Sequence, residues 1–234
     1  MPKFANHQVG LDGLFQTLFA HFGPRDWWPA ESVFEVMVGA VLTQNTNWRN
    51  VEKAIATLRQ ANLLDPQAMH HCPPAELAPF IRSSGYYNQK AIKLHALLDW
   101  FAGYDYKRQN VHRRYGAVKR QAVLRNELLQ VRGIGPETAD SILCYALDKP
   151  WFVVDAYTVR ILSRLGWPQL PELKYAAIQT WVHSHFDAVA QGAELVQIFN
   201  ELHALIVVLG NQYCKKKNPA CSACPVQKPC RKII

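Results

Sequence analysis

Cys214, Cys221, Cys224 and Cys230 are the densest set of metal-competent side chains in this 234-residue chain. Six, two and five residues separate them, so one short segment can gather four thiolates around one centre. A tetrathiolate set suits zinc or an iron–sulfur cluster, and spacing alone does not choose between the two. Cys72 and Cys144 fall outside that spacing. Cys144 sits in an apolar stretch and is expected as a small core residue.

Two further constellations carry potential chemistry. Between Leu129 and Ala139, Gly133 and Gly135 flank Ile134 where one helical stretch ends and another begins. Glycine permits positive φ and close backbone approach, and the exposed N–H groups of such a turn and helix start can hold a phosphate. Ile134 would anchor the turn between its helices. The plainer reading of the same residues is an ordinary helical hairpin. Twenty residues beyond Gly135, the run Trp151-Phe152-Val153-Val154 delivers Asp155 to a helix start. An aspartate there is a helix N-cap, or a carboxylate kept ionised by helix N–H groups, able to stabilise a cationic sugar or activate water.

The elements that must position these residues read as helical nearly throughout. Apolar spacings of three and four place helices at 10–22, 31–43, Asn47–Gln60 and Ala91–Phe101. Leu124–Leu129 and Glu137–Leu147 form the pair around the glycine turn, followed by Ala156–Leu165, Leu173–Phe186 and Ala193–Leu209. Pro66, Pro73, Pro74 and Pro79 mark short connections with a small helix between them. Strand alternation, long linkers and internal repeats are absent from the pattern.

Composition narrows the class. Hydrophobic residues make up 49% and charged residues 19%, the balance of a folded chain with a real core. No uninterrupted apolar run approaches 18 residues, so no membrane partner is expected. Met1–His7 lacks a signal-peptide pattern, so the cytoplasm is the expected location, where thiols stay reduced and metal ligation is the better use of clustered cysteines. Net charge is +8, with Lys107, Arg108, Arg113, Arg114, Lys119 and Arg120 in one acid-free segment. Lys215, Lys216, Lys217, Lys228, Arg231 and Lys232 form a second group with no acid after Glu201. These are solvated basic faces or surfaces for a polyanion.

The order of glycine hairpin, Val-Asp and terminal cysteines resembles the helix-hairpin-helix DNA glycosylases of the endonuclease III superfamily, from about Trp28 to Cys230. The resemblance implies an all-α fold of two helical domains with the DNA-binding cleft between them. A six-helix domain with the hairpin would span 27–147, and 1–26 with 148–234 would form a cluster domain carrying the catalytic aspartate. It further implies a [4Fe–4S] cluster on the four cysteines, Asp155 as the catalytic carboxylate, and Gly133-Ile134-Gly135 as the DNA-gripping hairpin. The partner would be double-stranded DNA containing a damaged base, met by a monomer in the cytoplasm, on the nucleoid of a bacterium or archaeon.

Branch assignment rests on single positions. Bifunctional members carry a lysine two residues past the second glycine, where an imine with the sugar forms. This chain has Glu137 there, which cannot form an imine, so the resemblance implies base removal without strand cleavage; Glu137 also suits the first turn of a helix. The adenine-removing branch needs a glutamate four residues before Gln44, and Ala40 stands there. Trp27-Trp28-Pro29, with Gln44 and Trp48 downstream, is similar to the 3-methyladenine glycosylases. Their substrate is a flat cationic base, which an aromatic pocket can stack once it leaves the helix. Trp27, Trp28 and Trp48 are the candidate lining, or else core tryptophans. By resemblance Gln44 fills the vacated space and Tyr86 is the opposite-strand wedge, at a position commonly aliphatic in the family. Lys215 and Lys216 would meet phosphates beside the cluster. The alternatives are an endonuclease III-like glycosylase for another damaged or mismatched base, and a DNA-binding module without catalysis.

Overall fold

Side-chain capping opens four of the α-helices, at Ser32, Asn47, Asp65 and Asp155. The computed structural model describes residues 10–167, 174–228 and 230–231, except the side chains of Val118 and Lys119. The expectations on Met1–His7, Leu173, Lys232 and the Lys119 side chain therefore lie outside the described residues. In chain order the helices are α1 (Leu11–Phe22), α2 (Val33–Leu42), α3 (Trp48–Gln60), α4 (Pro66–His71), α5 (Pro74–Leu77), a 3₁₀ segment (Ala78–Ser84), α6 (Tyr87–Ala102) and α7 (Arg108–Tyr115). There follow α8 (Val118–Gln130), α9 (Pro136–Ser141), a π-helical segment (Ile142–Ala146), α10 (Ala156–Leu165), α11 (Tyr175–Phe186), α12 (Gly192–Gln212) and a 3₁₀ turn at Cys221–Ala223. The fold is all-α, and no strand forms among the described residues.

The chain divides into two compact units, Trp28–Lys149 and Met1–Trp27 with Pro150–Ile234. In the first, α2 is the central element: every residue from Phe34 to Leu42 is buried, and it packs on α3, α6, α9 and the π segment. Ser32 opens α2 by accepting the Glu35 N–H on its hydroxyl at 3.1 Å, and Asn47 opens α3 in the same way from Asn50 at 3.2 Å. On α3 only Val51, Ala54, Ile55 and Leu58 are buried, the inward stripe that three- and four-residue spacing dictates.

In the second unit α12 is the core helix, with α1 and α10 packed on it. Gly210 allows the α10 contact, since a Cβ there would stand 2.2 Å from the Tyr157 ring. α12 is the one helix among the described residues long and apolar enough to cross a membrane by composition. Glu194, Asn200, Glu201 and His203 interrupt it, and residues such as Leu195, Phe199, Leu202 and Leu209 are buried within its unit.

Beside an α6 that begins at Tyr87 instead of Ala91 and an α12 that runs to Gln212 instead of Leu209, three further differences from the sequence reading stand out. α7 was read only as a basic patch, because its buried residues, Val111 and Tyr115, are two among many charges. α8 begins six residues earlier than Leu124, at Val118. The second hairpin helix widens into a π segment after Ser141 instead of running on as a regular helix to Leu147. Cys144, as expected, is buried in that segment.

Candidate functional site

The Asp155 carboxylate is built from an extended segment that has no strand partner. Phe152, Val153 and Val154 are buried, so their backbone groups need partners inside the protein. α11 supplies them: Phe152 N–H donates to His183 Nε2 at 3.1 Å, and Gln179 Nε2 donates to the Phe152 carbonyl at 2.7 Å. Asp155 then caps α10, its Oδ1 accepting from the Thr158 N–H at 2.7 Å and the Thr158 hydroxyl at 2.9 Å. Its Oδ2 faces His203 Nε2 of α12 at 3.6 Å. Burial alone would raise the Asp155 pKa, but His203 and the two Thr158 donors outweigh it and hold the carboxyl below its ordinary range. The arrangement is an ionised carboxylate, only 14% exposed in its side chain, with its proton affinity suppressed. His183, Gln179 and His203 were not anticipated; nothing local in the sequence ties them to Asp155.

In the other unit, the two hairpin glycines do different work. Gly133 has φ +82°, and a Cβ on it would stand 2.4–2.8 Å from the Lys93 side chain. Gly135 is extended, caps α9, and has open space where a Cβ would go. Ile134 is buried between the helices as expected. Beneath the turn, Arg125 of α8 grips the fully buried Asp140 of α9 through two parallel bonds, Nε–Oδ1 at 2.6 Å and Nη2–Oδ2 at 2.9 Å. Gln44 is tied to the same turn. Its Nε2 donates to the Gly133 carbonyl at 3.1 Å and to Thr138 Oγ1 at 2.9 Å, while its Oε1 accepts from Lys93 Nζ at 2.5 Å. Glu137 is exposed in the first turn of α9.

The same unit holds an aromatic cluster. Trp28 packs edge-on against Trp48 at 5.1 Å between ring centres and against Tyr145 at 5.4 Å. Gly39 makes room for it, as a Cβ there would stand 3.0 Å from the Trp28 ring. Tyr145 was missed by sequence reasoning; the π segment, a geometry often found at functional sites, turns it onto Trp28. Trp28 and Trp48 border a cavity of about 460 Å³ whose walls also carry Glu31, Glu35, Glu52 and Arg59. Neither tryptophan is fully buried, so neither is a plain core residue. Arg59 pairs with Glu35 at 2.9 Å and with Glu31 at 3.3 Å, leaving carboxylates in excess on the walls. Trp27 is half-buried and falls in the other unit, outside this lining. Tyr86 stands 73% exposed on a turn, with φ +47°.

The four cysteines line one small apolar cavity together with Ile161, Leu165, Leu209 and Val226. Arg164 donates to Cys214 Sγ at 3.3 Å, and its own carbonyl accepts from Cys230 at 3.4 Å. Arg164 also binds the carbonyls of Lys215 and Lys216 at 2.8 and 3.2 Å, whose residues are exposed. Among the described residues no group of three or more His, Cys, Asp or Glu side chains is placed to hold a metal ion.

Comparison with known proteins places this geometry in context. A family model described as "HhH-GPD superfamily base excision DNA repair protein" matches residues 38–182. The chain is 40% identical over 217 residues to "Putative DNA repair glycosylase MJ1434" of Methanocaldococcus jannaschii, covering 93% of this chain and 94% of that one. It is 28% identical to endonuclease III of Thermotoga maritima over 199 residues, covering 84% and 82% of the two. Among solved structures it is similar to the H. pylori 3-methyladenine DNA glycosylase bound to 1,N6-ethenoadenine, at 28% identity and a TM-score of 0.67, covering 87% of this chain and 98% of that one.

Proposed function

From the premise that this chain belongs to the HhH-GPD superfamily of base excision DNA repair proteins, and is a DNA glycosylase of that kind, we propose that it removes cationic alkylated purines such as 3-methyladenine and leaves the DNA backbone intact. The observation that carries the choice of substrate is the cavity walled by Trp28 and Trp48 with an excess of carboxylates, an environment suited to a flat positive base.

The chemistry follows from the substrate's charge. In 3-methylated adenine the bond between the base nitrogen and C1′ is already polarised. When it breaks, the electron pair leaves with the base, which departs neutral, so no enzyme acid is needed. Positive charge grows on the sugar ring. A fixed carboxylate aimed at that charge is the main catalytic contribution available, and Asp155, held ionised by Thr158 and His203, fits the role. Water then adds at C1′ and loses its proton to Asp155 or to solvent. Gly133, Ile134 and Gly135 position a backbone phosphate; Gln44 and Tyr86 enter the space the extruded nucleotide leaves. Glu137 stands where an imine-forming lysine would be needed, so the abasic product persists. The unit Trp28–Lys149 is the hairpin domain in this reading, and its companion unit carries Asp155 and the cysteines. The enzyme acts as a monomer on damaged duplex DNA in the cytoplasm.

Cys214, Cys221, Cys224 and Cys230 would hold a [4Fe–4S] cluster. The all-thiolate donor set fits it. When bound, the cluster supplies a rigid crosslink for the loop that carries Lys215 and Lys216. The purified protein should be brown, absorb broadly in the blue, and hold about four irons per chain; a colourless zinc-loaded protein would refute the assignment.

Methylated DNA incubated with the protein should release free 3-methyladenine, separated by chromatography, and borohydride should trap no protein–DNA adduct. Release of other bases alone would replace the substrate class, and a strong adduct would restore strand cleavage.

A further inference from the structure

Lys90 is a fully buried cation, 1% exposed and with only backbone carbonyls at its ammonium. Its Nζ donates to Leu42 O at 2.8 Å and to Ser84 O at 2.7 Å. Burying an ammonium without a carboxylate is expensive, so two well-made bonds to main-chain oxygens call for an explanation in what those oxygens hold. Leu42 is the last residue of α2, two positions before Gln44. Ser84 is the last residue of the 3₁₀ segment, two positions before Tyr86.

Both turns need holding. Asn45, beside Gln44, sits at φ +54°, and Tyr86 itself sits at φ +47° directly after Gly85 at φ +69°. Non-glycine residues in the left-handed region persist only where the surroundings over-determine them. Lys90 touches the second turn twice, since its own N–H also donates to Tyr86 O at 3.0 Å. Burial and the neighbouring Lys93 charge bring its pKa down to about 8. The side chain therefore keeps at least two donor hydrogens in either protonation state, enough for both carbonyls.

We infer that Lys90 is a positioning residue that fixes the spacing of Gln44 and Tyr86, so that both enter the duplex in register when a nucleotide is extruded. This rests on the reading of Gln44 and Tyr86 as the inserted residues, and it does not depend on which base is removed.

The probe is a duplex carrying a tetrahydrofuran abasic analogue opposite 2-aminopurine, which needs no catalysis. Insertion unstacks the 2-aminopurine and raises its fluorescence. Lys90→Met is expected to reduce that rise about fivefold while changing affinity for the duplex less than about threefold. Adding Lys90→Met to a Gln44→Ala/Tyr86→Ala variant should change neither signal nor affinity further, because nothing is left to position. If Lys90→Met does not fold, Lys90→Gln, which keeps one donor group, is measured against the same two expectations. A full fluorescence rise in the Lys90 variant overturns the inference, as does an absent rise in the native chain. Loss in the triple variant beyond that of the double variant would show a general packing role instead. Release of methylated bases by the native chain is measured separately, so failure of the alkylpurine reading is distinguishable.

Discussion

Asp155→Asn is expected to release base about 100- to 1,000-fold more slowly than the native chain, the loss that follows removal of one preorganised electrostatic group. The substitution separates two roles that Asp155 combines. Asparagine is as good an N-cap as aspartate, so the bonds from the Thr158 N–H and hydroxyl, at 2.7 and 2.9 Å, have an acceptor in either case. Shape and helix start are kept, and only the charge goes. Binding to an abasic-analogue duplex should stay near the native value. Single-turnover release at a saturating enzyme concentration gives the rate, and release at the native rate would remove Asp155 from the mechanism. The pH dependence has a defined sign. The folded carboxyl lies below its ordinary value, so the activity that depends on it should be flat from neutrality down to about pH 4. Its contribution to folding is likewise in place above the unfolded pKa, about 3.9, and is lost as pH falls through the lower folded value. The asparagine variant lacks that acid sensitivity.

Arg125→Met should destabilise the unit Trp28–Lys149 by about 3–5 kcal/mol, because it takes the guanidinium away from a fully buried carboxylate, Asp140. For a chain of this size that corresponds to a fall of about 6–20 °C in the melting midpoint. The penalty belongs to the buried charge deprived of its guanidinium rather than to the missing contact. Arg125→Met combined with Asp140→Leu should therefore recover most of the loss, since an apolar pair of similar volume often replaces a buried ion pair at little cost. Thermal unfolding followed by circular dichroism checks both variants. A single variant within about 1 kcal/mol of the native chain would mean that water or another group satisfies Asp140.

The helices near the site were legible where the signal is local. Asp155 as cap, Ile161, Leu162 and Leu165 at inward spacings, and Gly166 in the left-handed region at φ +78° bound α10 from both ends. The Gly-Ile-Gly-Pro run likewise marked the hairpin, with Ile134 buried as its pattern requires. What escaped was non-local. His203, Gln179 and His183 reach Asp155 and its lead-in only because α11 and α12 fold back onto that segment, and no periodicity records such a meeting. Asp140 reads in the sequence as one more surface acid of a helix, and only the fold shows that Arg125 waits beneath it. Tyr145 lies in an apolar run that predicts burial, but not the π geometry that sets it on Trp28. Both hairpin glycines permit positive φ, but only Gly133 uses it.

The packing of α1 on α12 has a consequence for how the chain is made. Arg25 N–H binds Glu201 at 2.7 Å and His21 meets the Tyr213 hydroxyl at 3.3 Å, so the first and last described helices of one unit close on each other across the whole length of the other. During synthesis at about 5–20 residues per second, Trp28–Lys149 emerges complete and can fold while its companion still lacks α10 to α12. The leading helix must wait, unpaired, until α12 has been synthesised. His203 arrives with α12, so the carboxylate of Asp155 acquires its full setting only once that helix has emerged. Nascent chains stalled before α12 should thus carry a folded hairpin unit and no organised Asp155 site.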